Sequence, residues 1–162
     1  MRRLVIMCGV PGSGKSTYVR NHLYEFNKPI IISRDDIRFS MVPEGEPYFS
    51  KEDEVFAEFK KQINNSLARG DGDTIVDATH INKNSRRKLL NVVSKENLKG
   101  TKIVFICIDV RLNTALRRNE RRVGRAIVPE DAIRNMYNNF KVPKVSEFDY
   151  LDNEIAIIKE VE

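Results

Sequence analysis

The residues best suited to chemistry lie together near the start of the chain, in the stretch Gly9-Val10-Pro11-Gly12-Ser13-Gly14-Lys15-Ser16-Thr17. This stretch matches the phosphate-binding pattern G-x-x-x-x-G-K-[ST] in full. Its glycines allow successive backbone N–H groups to point inward at a polyphosphate. We expect Lys15 to reach the β- and γ-phosphates and the Ser16 hydroxyl to bind Mg²⁺. The stretch therefore predicts binding of ATP or GTP.

A polar cluster suited to a phosphate acceptor, Ser33-Arg34-Asp35-Asp36-Ile37-Arg38, directly follows a short β-branched run. Ligands of open parallel sheets bind at the carboxyl ends of the strands. Asp35 and Arg38 are three residues apart and share a face if the segment is helical. Asp35 could accept the proton of an attacking hydroxyl, and Arg38 could hold an anionic part of the acceptor. Arg34 and Asp36 point elsewhere on such a helix, and we expect them to be structural or solvated.

Another carboxylate, Asp77, ends the short run Thr74-Ile75-Val76. It could help Ser16 to order Mg²⁺, or it could contact the acceptor. Asp109 ends a later apolar run and competes for the metal role. We favour Asp77.

Three polar residues after this carboxylate, Thr79, His80 and Arg86, are predicted to line an acceptor groove. An imidazole titrates near neutrality, so a catalytic role for His80 is conceivable. We favour a structural role for it over a catalytic one, and the same holds for His22.

Arginines are concentrated in residues 111–125. If this segment is helical, Arg118, Arg122 and Arg125 lie on one face, at i, i+4 and i+7. A run of charge is usually a solvated face, but an arginine that reaches a transferring phosphate can raise the rate by orders of magnitude. We therefore predict an arginine-rich lid over about residues 111–128, with Arg122 as its strongest member. The predicted nucleotide-binding residues are Gly9, Pro11, Gly12, Ser13, Gly14, Lys15, Ser16, Thr17, Arg118, Arg122 and Arg125.

Apolar runs and helical patterns alternate along the chain and would position these residues. Strands are predicted at Leu4–Cys8, Ile30–Ile32, Thr74–Asp77, Lys102–Asp109 and Glu154–Glu160. Helices are predicted at Tyr18–Phe26, Ser50–Gly70, about 83–97, Arg111–Val123 and from Pro129 onward. The alternation predicts an α/β fold of the P-loop NTPase type, in which helices cover both faces of a parallel β-sheet. We expect one domain over residues 1–162.

Composition limits the class of protein. Hydrophobic residues make up 41% and charged residues 31%, which is ordinary for a globular protein. No apolar run approaches the roughly 20 residues of a membrane span, and we expect no signal peptide. Cys8 and Cys107 both lie in apolar runs, so we expect small buried hydrophobes and a reducing cytoplasm. The net charge of +5 favours anionic partners.

Several motifs, in order, resemble those of a known family. The phosphate loop is followed by S-R-D-D-I-R, D-A-T-H, R-R-N-E-R-R and V-P-E-D-A-I-R-N-M-Y. This series is similar to the polynucleotide 5′-hydroxyl kinase family, with the kinase domain of the phage polynucleotide kinase type, among the P-loop kinases of the AAA_33-like group. The resemblance covers nearly the whole chain, and the R-D-D-x-x-R element and the lid make it specific.

The resemblance implies a role for each matching residue. Asp35 would be the general base on a 5′-hydroxyl, and Arg38 would hold the neighbouring phosphate of the acceptor. Lys15 and Arg122 would stabilise the transferring phosphate, and Ser16 would bind Mg²⁺. ATP would be the donor, and a 5′-hydroxyl end of DNA or RNA would be the acceptor.

The chain departs from this family in some places. Family members often have Asn where this chain has His80, which puts acceptor contacts on that side in question. Neither the D-x-D-x-T element of phosphatases nor the K-x-D-G motif of nucleotidyl transfer occurs. We therefore expect kinase activity without 3′-phosphatase or ligase activity.

Two other functions stay open. A small-molecule kinase acting on a sugar, nucleoside or nucleotide-sugar would need the same loop, base and lid. A nucleotide-dependent binding module or switch would bind ATP and turn it over very slowly. Asp35, Arg38 and the lid arginines argue against a switch, which has no use for an acceptor base.

Overall fold

Five parallel strands form the sheet at the centre of the computed structural model, which describes residues 1–160 apart from the side chain of Arg125. The strands are β1 (Arg2–Cys8), β2 (Ile30–Ser33), β3 (Gly72–Asp77), β4 (Thr101–Asp109) and β5 (Asn153–Lys159). Their order is β2-β3-β1-β4-β5, and each neighbouring pair is parallel. All carboxyl ends therefore meet at one edge, with β1 in the middle. The predicted α/β fold of the P-loop NTPase type is confirmed.

Seven helices connect these strands within the described residues. They are α1 (Lys15–Asn21), α2 (Arg34–Met41), α3 (Glu52–Leu67), α4 (Lys83–Val92), α5 (Lys95–Leu98), α6 (Leu112–Glu120) and α7 (Glu130–Asn138). Short 3₁₀ turns cover Leu23–Glu25, Gly124–Ala126 and Val145–Phe148. The helix predicted at Ser50–Gly70 begins two residues later, at Glu52: α3 begins with three acidic residues, which suit the positive end of the helix dipole. None of these helices is long and apolar enough to cross a membrane within the part of the chain described.

Helices cover both faces of the sheet, and alternate residues of β1 enter two separate cores. Leu4 and Ile6 pack on the side of α3 and α4, around Phe59. Val5 and Met7 pack on the side of α1, α6 and α7. All four of these β1 side chains are fully buried, and burying such a side chain stabilises the fold by about 1.5–3 kcal/mol.

Both cysteines lie inside the sheet, at neighbouring register positions of β1 and β4. Cys8 and Cys107 are free and buried. Burial raises the pKa of Cys8 to about 12 and that of Cys107 to about 11, so both stay protonated near neutrality. They act as small hydrophobic side chains, as the sequence predicts.

Candidate active site

The phosphate loop connects β1 to α1, and α6 packs directly against it. Gly12 has a φ of +83°, and a Cβ there would lie 2.3 Å from the backbone oxygen of Ala115 in α6. A side chain fits neither the left-handed backbone nor this close approach. Gly14 precedes α1 with a φ of +100°. The glycines thus allow the loop to fit between the central strand and α6.

Lys15 and Ser13 supply polar atoms inside the loop. Lys15 is 8% exposed, and its Nζ donates to the backbone oxygens of Gly9 and Val10 at 2.9 and 3.0 Å. Burial lowers the pKa of this ammonium, and the charge of Asp77 opposes that shift. The buried Ser13 Oγ makes no hydrogen bond to any described residue. An unpaired buried hydroxyl is costly. Ser13 does not line the cavity, so of these two residues it is the Lys15 ammonium that a polyphosphate would meet.

Ser16 and Asp77 form a pair that fits a magnesium ion. Ser16 Oγ donates to Asp77 Oδ2 at 2.5 Å, where β3 ends beside α1. Hydroxyl and carboxylate oxygens are ligands that Mg²⁺ accepts. Over residues 1–160, no group of three or more His, Cys, Asp or Glu side chains makes a metal site by itself. Mg²⁺ here would therefore need phosphate oxygens and water as further ligands.

Asp35 lies in the first turn of α2, at the carboxyl end of β2. The helix begins there because Ser33 Oγ accepts a hydrogen bond from the backbone N–H of Asp36 at 3.2 Å. Asp35 Oδ1 accepts hydrogen bonds from Arg38 Nη1 and from the hydroxyl of Tyr48. The Asp35 side chain is nonetheless 40% exposed. Its carboxylate is thus held in one orientation and stays accessible from the cavity.

Tyr48 stays a hydrogen-bond donor to this carboxylate. Burial is the largest effect that raises the pKa of its hydroxyl, and the charge of Asp35 adds to it. The same hydroxyl accepts a hydrogen bond from Arg38 Nη1 at 2.8 Å. Tyr48, Arg38 and Asp35 therefore form a closed triangle of hydrogen bonds.

Glu52, the first residue of α3, holds the arginines of α2. It accepts from Arg38 Nε at 2.8 Å, from Arg38 Nη2 at 3.1 Å and from Arg34 Nη2 at 3.1 Å. Arg38 is 5% exposed, and its guanidinium lies 4.3 Å from the ring centroid of Tyr48 and 5.4 Å from that of Phe49. Burial tends to lower the pKa of Arg38, but the hydrogen bonds and charge of its acidic neighbours raise it overall. Arg38 is thus a fixed cation with aromatic walls.

The lid is only partly helical. The predicted helix Arg111–Val123 is too long, because α6 ends at Glu120. Asn119 pairs with the backbone of Val128, donating at 2.8 Å and accepting at 2.9 Å, and this pairing turns the chain back. Arg122 therefore lies beyond the helix and not on a shared face with Arg118. The side chain of Arg125 lies outside the described residues.

Two lid arginines still reach the phosphate loop region. Arg118 Nη1 donates to the backbone oxygen of Ser13 at 2.9 Å. Arg122 Nη1 donates to the backbone oxygen of Ala126 at 3.3 Å. Both side chains line the main cavity. Arg118 therefore contacts the phosphate loop directly, and Arg122 lies on the cavity that the loop also lines.

One cavity of about 690 Å³ joins the phosphate loop, α2, the end of β3 and the lid. It brings together most of the residues singled out from the sequence. The predicted residues that line it are Pro11, Gly12, Gly14, Lys15, Ser16, Thr17, Asp35, Arg38, Asp77, Thr79, Arg118 and Arg122. Asp109 does not line it, so of the two metal candidates only Asp77 meets the loop.

Two predicted acceptor residues do not line this cavity. Arg86 is 0% exposed; its Nε and Nη2 donate to the carboxylate of Glu147, and its Nη1 donates to the backbone oxygen of His80. His80 is 6% exposed, and its Nδ1 donates to the backbone oxygen of Met7 at 2.8 Å. Both residues therefore serve the fold around the site, which corrects their placement in an acceptor groove. Of the predicted nucleotide-binding residues, Gly9 and Ser13 do not line this cavity either.

Sequence reasoning missed several residues of the cavity. Tyr48 and Phe49 come from a segment rich in proline and glycine, and Glu52 opens the next helix. Arg34 and Asp36 also line the cavity, although their spacing from Asp35 suggested otherwise. The aromatic pair in a loop after the acidic element was the one available signal for Tyr48 and Phe49. Nothing in the spacing pointed to Glu52.

The central parallel sheet and the phosphate loop define the chain as a P-loop NTPase. A family model described as an AAA domain, AAA_33, matches residues 4–143, so the chain belongs to this family. The chain is therefore an AAA_33 domain with the P-loop fold.

Relatives of two kinds are similar to the chain. A protein named "Putative bifunctional polynucleotide kinase/RNA ligase", from Autographa californica nuclear polyhedrosis virus, is 25% identical over 161 residues, covering 92% of this chain and 22% of that protein. A chain of the Pnkp1/Rnl/Hen1 RNA repair complex superposes with a TM-score of 0.68 at 22% identity, over 85% of this chain and 43% of that one. A sugar kinase from Janibacter sp. HTCC2649 superposes with a TM-score of 0.64 at 14% identity, over 98% of this chain and 86% of that one.

These similarities differ in what they support. The chain spans less than half the length of the polynucleotide kinase/RNA ligase and of the repair-complex chain. The two structural neighbours have low identity and share the fold alone. Neither similarity identifies the acceptor.

Proposed function

We propose that this chain is an ATP-dependent polynucleotide 5′-hydroxyl kinase, which moves the γ-phosphate of ATP to the 5′-OH end of DNA or RNA. The observation that carries the proposal is the carboxylate of Asp35, held by Arg38 and Tyr48 in the same cavity as Lys15 of the phosphate loop. An acceptor of this kind has a hydroxyl that needs a base beside the transferring phosphate. Its neighbouring phosphate needs a cation beside that base.

Asp35 acts as the general base in this proposal. The acceptor oxygen attacks the γ-phosphorus, the bond from that phosphorus to the bridging oxygen of the β-phosphate breaks, and ADP leaves. The proton of the acceptor hydroxyl passes to Asp35. Arg38 and Tyr48 orient the carboxylate through Oδ1, which leaves Oδ2 for the acceptor hydroxyl.

Cations around the loop hold the donor. Lys15 exchanges its bonds to loop carbonyls for phosphate oxygens, while Arg118 and Arg122 approach from the lid. Ser16 and Asp77 would hold Mg²⁺, which when bound neutralises charge on the phosphates. Charge stabilisation and positioning supply most of the rate in such reactions, and no covalent enzyme intermediate is needed.

A second, smaller cavity supports a nucleotide acceptor. It has a volume of about 260 Å³ and adjoins the main cavity at Arg38 and Tyr48. Phe39, Val42 and Ile127 line it with apolar surface. A nucleobase next to the reacting hydroxyl would pack against such aromatic and apolar surface. A free sugar would gain little there.

A small-molecule kinase is the second candidate. The fold is compatible with this candidate, because a sugar kinase shares it over nearly all of this chain and most of its own length. Such an enzyme would use the same loop and base. It would need neither a phosphate at Arg38 nor a nucleobase in the second cavity.

Transfer of label from γ-labelled ATP to a short 5′-hydroxyl oligonucleotide with Mg²⁺ tests the proposal. Wild type should label it, Asp35→Asn should lose about 10²-fold or more in turnover, and Asp35→Asn should bind ATP almost as tightly as wild type. An oligonucleotide that already carries a 5′-phosphate is the substrate control. Labelling of sugars or nucleosides without labelling of the oligonucleotide would refute the polynucleotide acceptor.

The remaining features follow from this activity. The chain would act as one domain, in the cytoplasm, and supply 5′-phosphate ends for nucleic-acid repair.

An equal loss of ATP binding and turnover in Asp35→Asn would contradict the role of Asp35 as base.

A further inference from the structure

The loop that follows β3 is held by three separate segments of the chain. Three consecutive carbonyls of this loop each accept a hydrogen bond from a different segment. The carbonyl oxygens of Thr79, His80 and Ile81 accept from Gly9 N at 2.8 Å, Arg86 Nη1 at 3.0 Å and Lys141 N at 2.7 Å, respectively. Such a loop has little freedom to move. Because Asp77 and Thr79 line the main cavity, its position sets part of that cavity.

His80 ties the same loop to the strand that enters the phosphate loop. Its imidazole Nδ1 donates to the backbone oxygen of Met7 at 2.8 Å. Its backbone has a φ of +40°, which is uncommon for a residue other than glycine. The backbone and side-chain bonds of this loop therefore reach the chain on both sides of Cys8, at Met7 of β1 and at Gly9 of the phosphate loop.

An ion pair between Arg86 and Glu147 supports the loop that follows β3, outside the cavity. Arg86 Nε and Nη2 donate to the two carboxylate oxygens of Glu147, each at 3.1 Å. The Arg86 side chain is 0% exposed and that of Glu147 is 13% exposed. Glu147 belongs to the 3₁₀ turn Val145–Phe148, whose Phe148 stacks on Phe105 of β4. A paired charge at this depth in the protein is costly to disturb.

We propose that His80, Arg86 and Glu147 form a positioning unit that holds the phosphate loop and Asp77 ready for nucleotide. None of the three side chains lines the cavity, so each acts through the loop that follows β3. The inference rests on the nucleotide-binding half of the proposed function and is the same for any acceptor. It makes the turn at Val145–Phe148, far along the chain from the phosphate loop, part of the nucleotide site.

A variant of Glu147 with a matched control tests the unit. Glu147→Gln removes the carboxylate from Arg86. Asp73→Asn is the control, because Asp73 is 1% exposed and pairs with Arg3 through two bonds at 2.8 and 2.6 Å. That pair lies at the amino ends of β1 and β3, at the other edge of the sheet. ATP·Mg²⁺ affinity is measured by calorimetry, and Tm is measured for each protein.

The expected result is a loss of ATP·Mg²⁺ affinity of about tenfold or more in Glu147→Gln, the size expected when one positioning hydrogen bond is lost. Asp73→Asn should lower Tm by a similar amount and keep the affinity of wild type. Unchanged affinity in Glu147→Gln, or equal losses in both variants, would overturn the inference. Wild type that binds no ATP would refute the proposed nucleotide site instead.

A second variant covers the case in which Glu147→Gln does not fold. His80→Gly keeps the ion pair, tolerates the positive φ and removes the bond to Met7. It should weaken ATP·Mg²⁺ binding and raise KM for ATP with a smaller change in kcat, because positioning acts on the bound donor. Wild-type affinity and KM in this folded variant would overturn the inference.

Discussion

A substitution of Glu52 tests which contacts hold Arg38 and Asp35 in place. Its carboxylate accepts three hydrogen bonds from Arg34 and Arg38, and it is 29% exposed. Glu52→Gln leaves the buried Arg38 with Asp35 as its remaining carboxylate partner. Removing one partner of a fully buried ion pair costs about 3–5 kcal/mol. Since Asp35 still compensates part of the charge, we expect about 2 kcal/mol, and therefore a fall in Tm of roughly 4–8 °C for a domain of this size.

The kinetic consequence of Glu52→Gln should be confined to the acceptor. Once released from Glu52, the Arg38 guanidinium can rotate about its long side chain, and Asp35 loses its fixed orientation. A misplacement of about 1 Å can cost 10²-fold, so we expect kcat/KM for the oligonucleotide to fall by about that factor. ATP affinity should stay within about twofold of wild type, because Lys15 and Ser16 are untouched.

A matched control for this variant lies in the same turn of α3. Glu54→Gln removes the same charge from the helix N-terminus, but Glu54 is exposed and makes none of these contacts. It should keep wild-type kcat/KM and lose less than about 0.5 kcal/mol of stability. Equal kinetic losses in both variants, or a loss of ATP affinity in Glu52→Gln, would refute the reasoning.

The stability that Glu52 contributes through its contacts with Arg38 should depend on pH. Burial tends to raise the pKa of Glu52, but hydrogen bonds and charge from Arg38 lower it overall. A lowered pKa means that Glu52 contributes stability above the pKa of the unfolded chain and loses it as pH falls through the folded value. The stability difference between wild type and Glu52→Gln should therefore be full at pH 7 and shrink below about pH 4.5.

Three further outcomes are expected. Gly12→Ala should abolish ATP binding in calorimetry, since its Cβ would lie 2.3 Å from a backbone oxygen of α6. Gly45→Ala is the control: Gly45 has a similar φ and nothing within 4 Å, so this variant should bind ATP as wild type does. Retained ATP binding in Gly12→Ala would contradict the prediction. Burial lowers the pKa of His80 from 6.5 to about 4. In denaturant titrations, the free energy of unfolding of wild type should therefore fall by about 1–2 kcal/mol between pH 7 and pH 5, and that of His80→Asn should not. Tyr48→Phe should lower kcat by about tenfold with ATP affinity intact, because it removes one hydrogen bond to Asp35; an unchanged kcat would separate Tyr48 from the base.

The fold and the donor side of the cavity were predictable because their signals are local. A glycine loop between an apolar run and a helix specifies its own geometry, so Lys15 and Ser16 lie on the cavity. Asp77 could be paired with Ser16 because carboxyl ends of parallel strands meet at one edge. Each of these predictions needed only short-range pattern and the rule for parallel sheets.

The acceptor side depends on packing between segments and was predicted only in part. Glu52 reaches Arg38 because α2 and α3 dock against each other, and no spacing along the chain encodes that contact. Arg86 was placed in the acceptor groove because it is a polar residue after Asp77. A single, mostly covered carboxylate, Glu147, sixty-one residues away, reverses that placement. The lid helix was overestimated because Asn119 pairs across the turn with Val128, a contact that helix propensity does not include.

The distribution of charge around the cavity predicts how its affinity for the acceptor depends on salt. On the side of α1 and α6, Lys15, Arg20, Arg118 and Arg122 face one carboxylate, Asp77. On the side of α2 and α3, Arg34 and Arg38 are accompanied by Asp35, Asp36 and Glu52, so cations there do not outnumber anions. The acceptor side therefore offers contacts for about one or two phosphates. For single strands, log K falls by about 0.7 per phosphate contact with each log unit of salt.

KM for a 5′-hydroxyl oligonucleotide should accordingly rise about three- to sevenfold between 50 and 200 mM salt, measured at saturating ATP. KM for ATP should be followed in parallel, because the donor side carries the larger excess of positive charge. A KM for the oligonucleotide that does not change with salt would argue against a phosphate contact at Arg38 and would favour an uncharged small-molecule acceptor. A rise of several hundredfold would mean that phosphates are bound by basic residues outside the cavity, and the charges counted around Asp35 would then not be those that hold the acceptor.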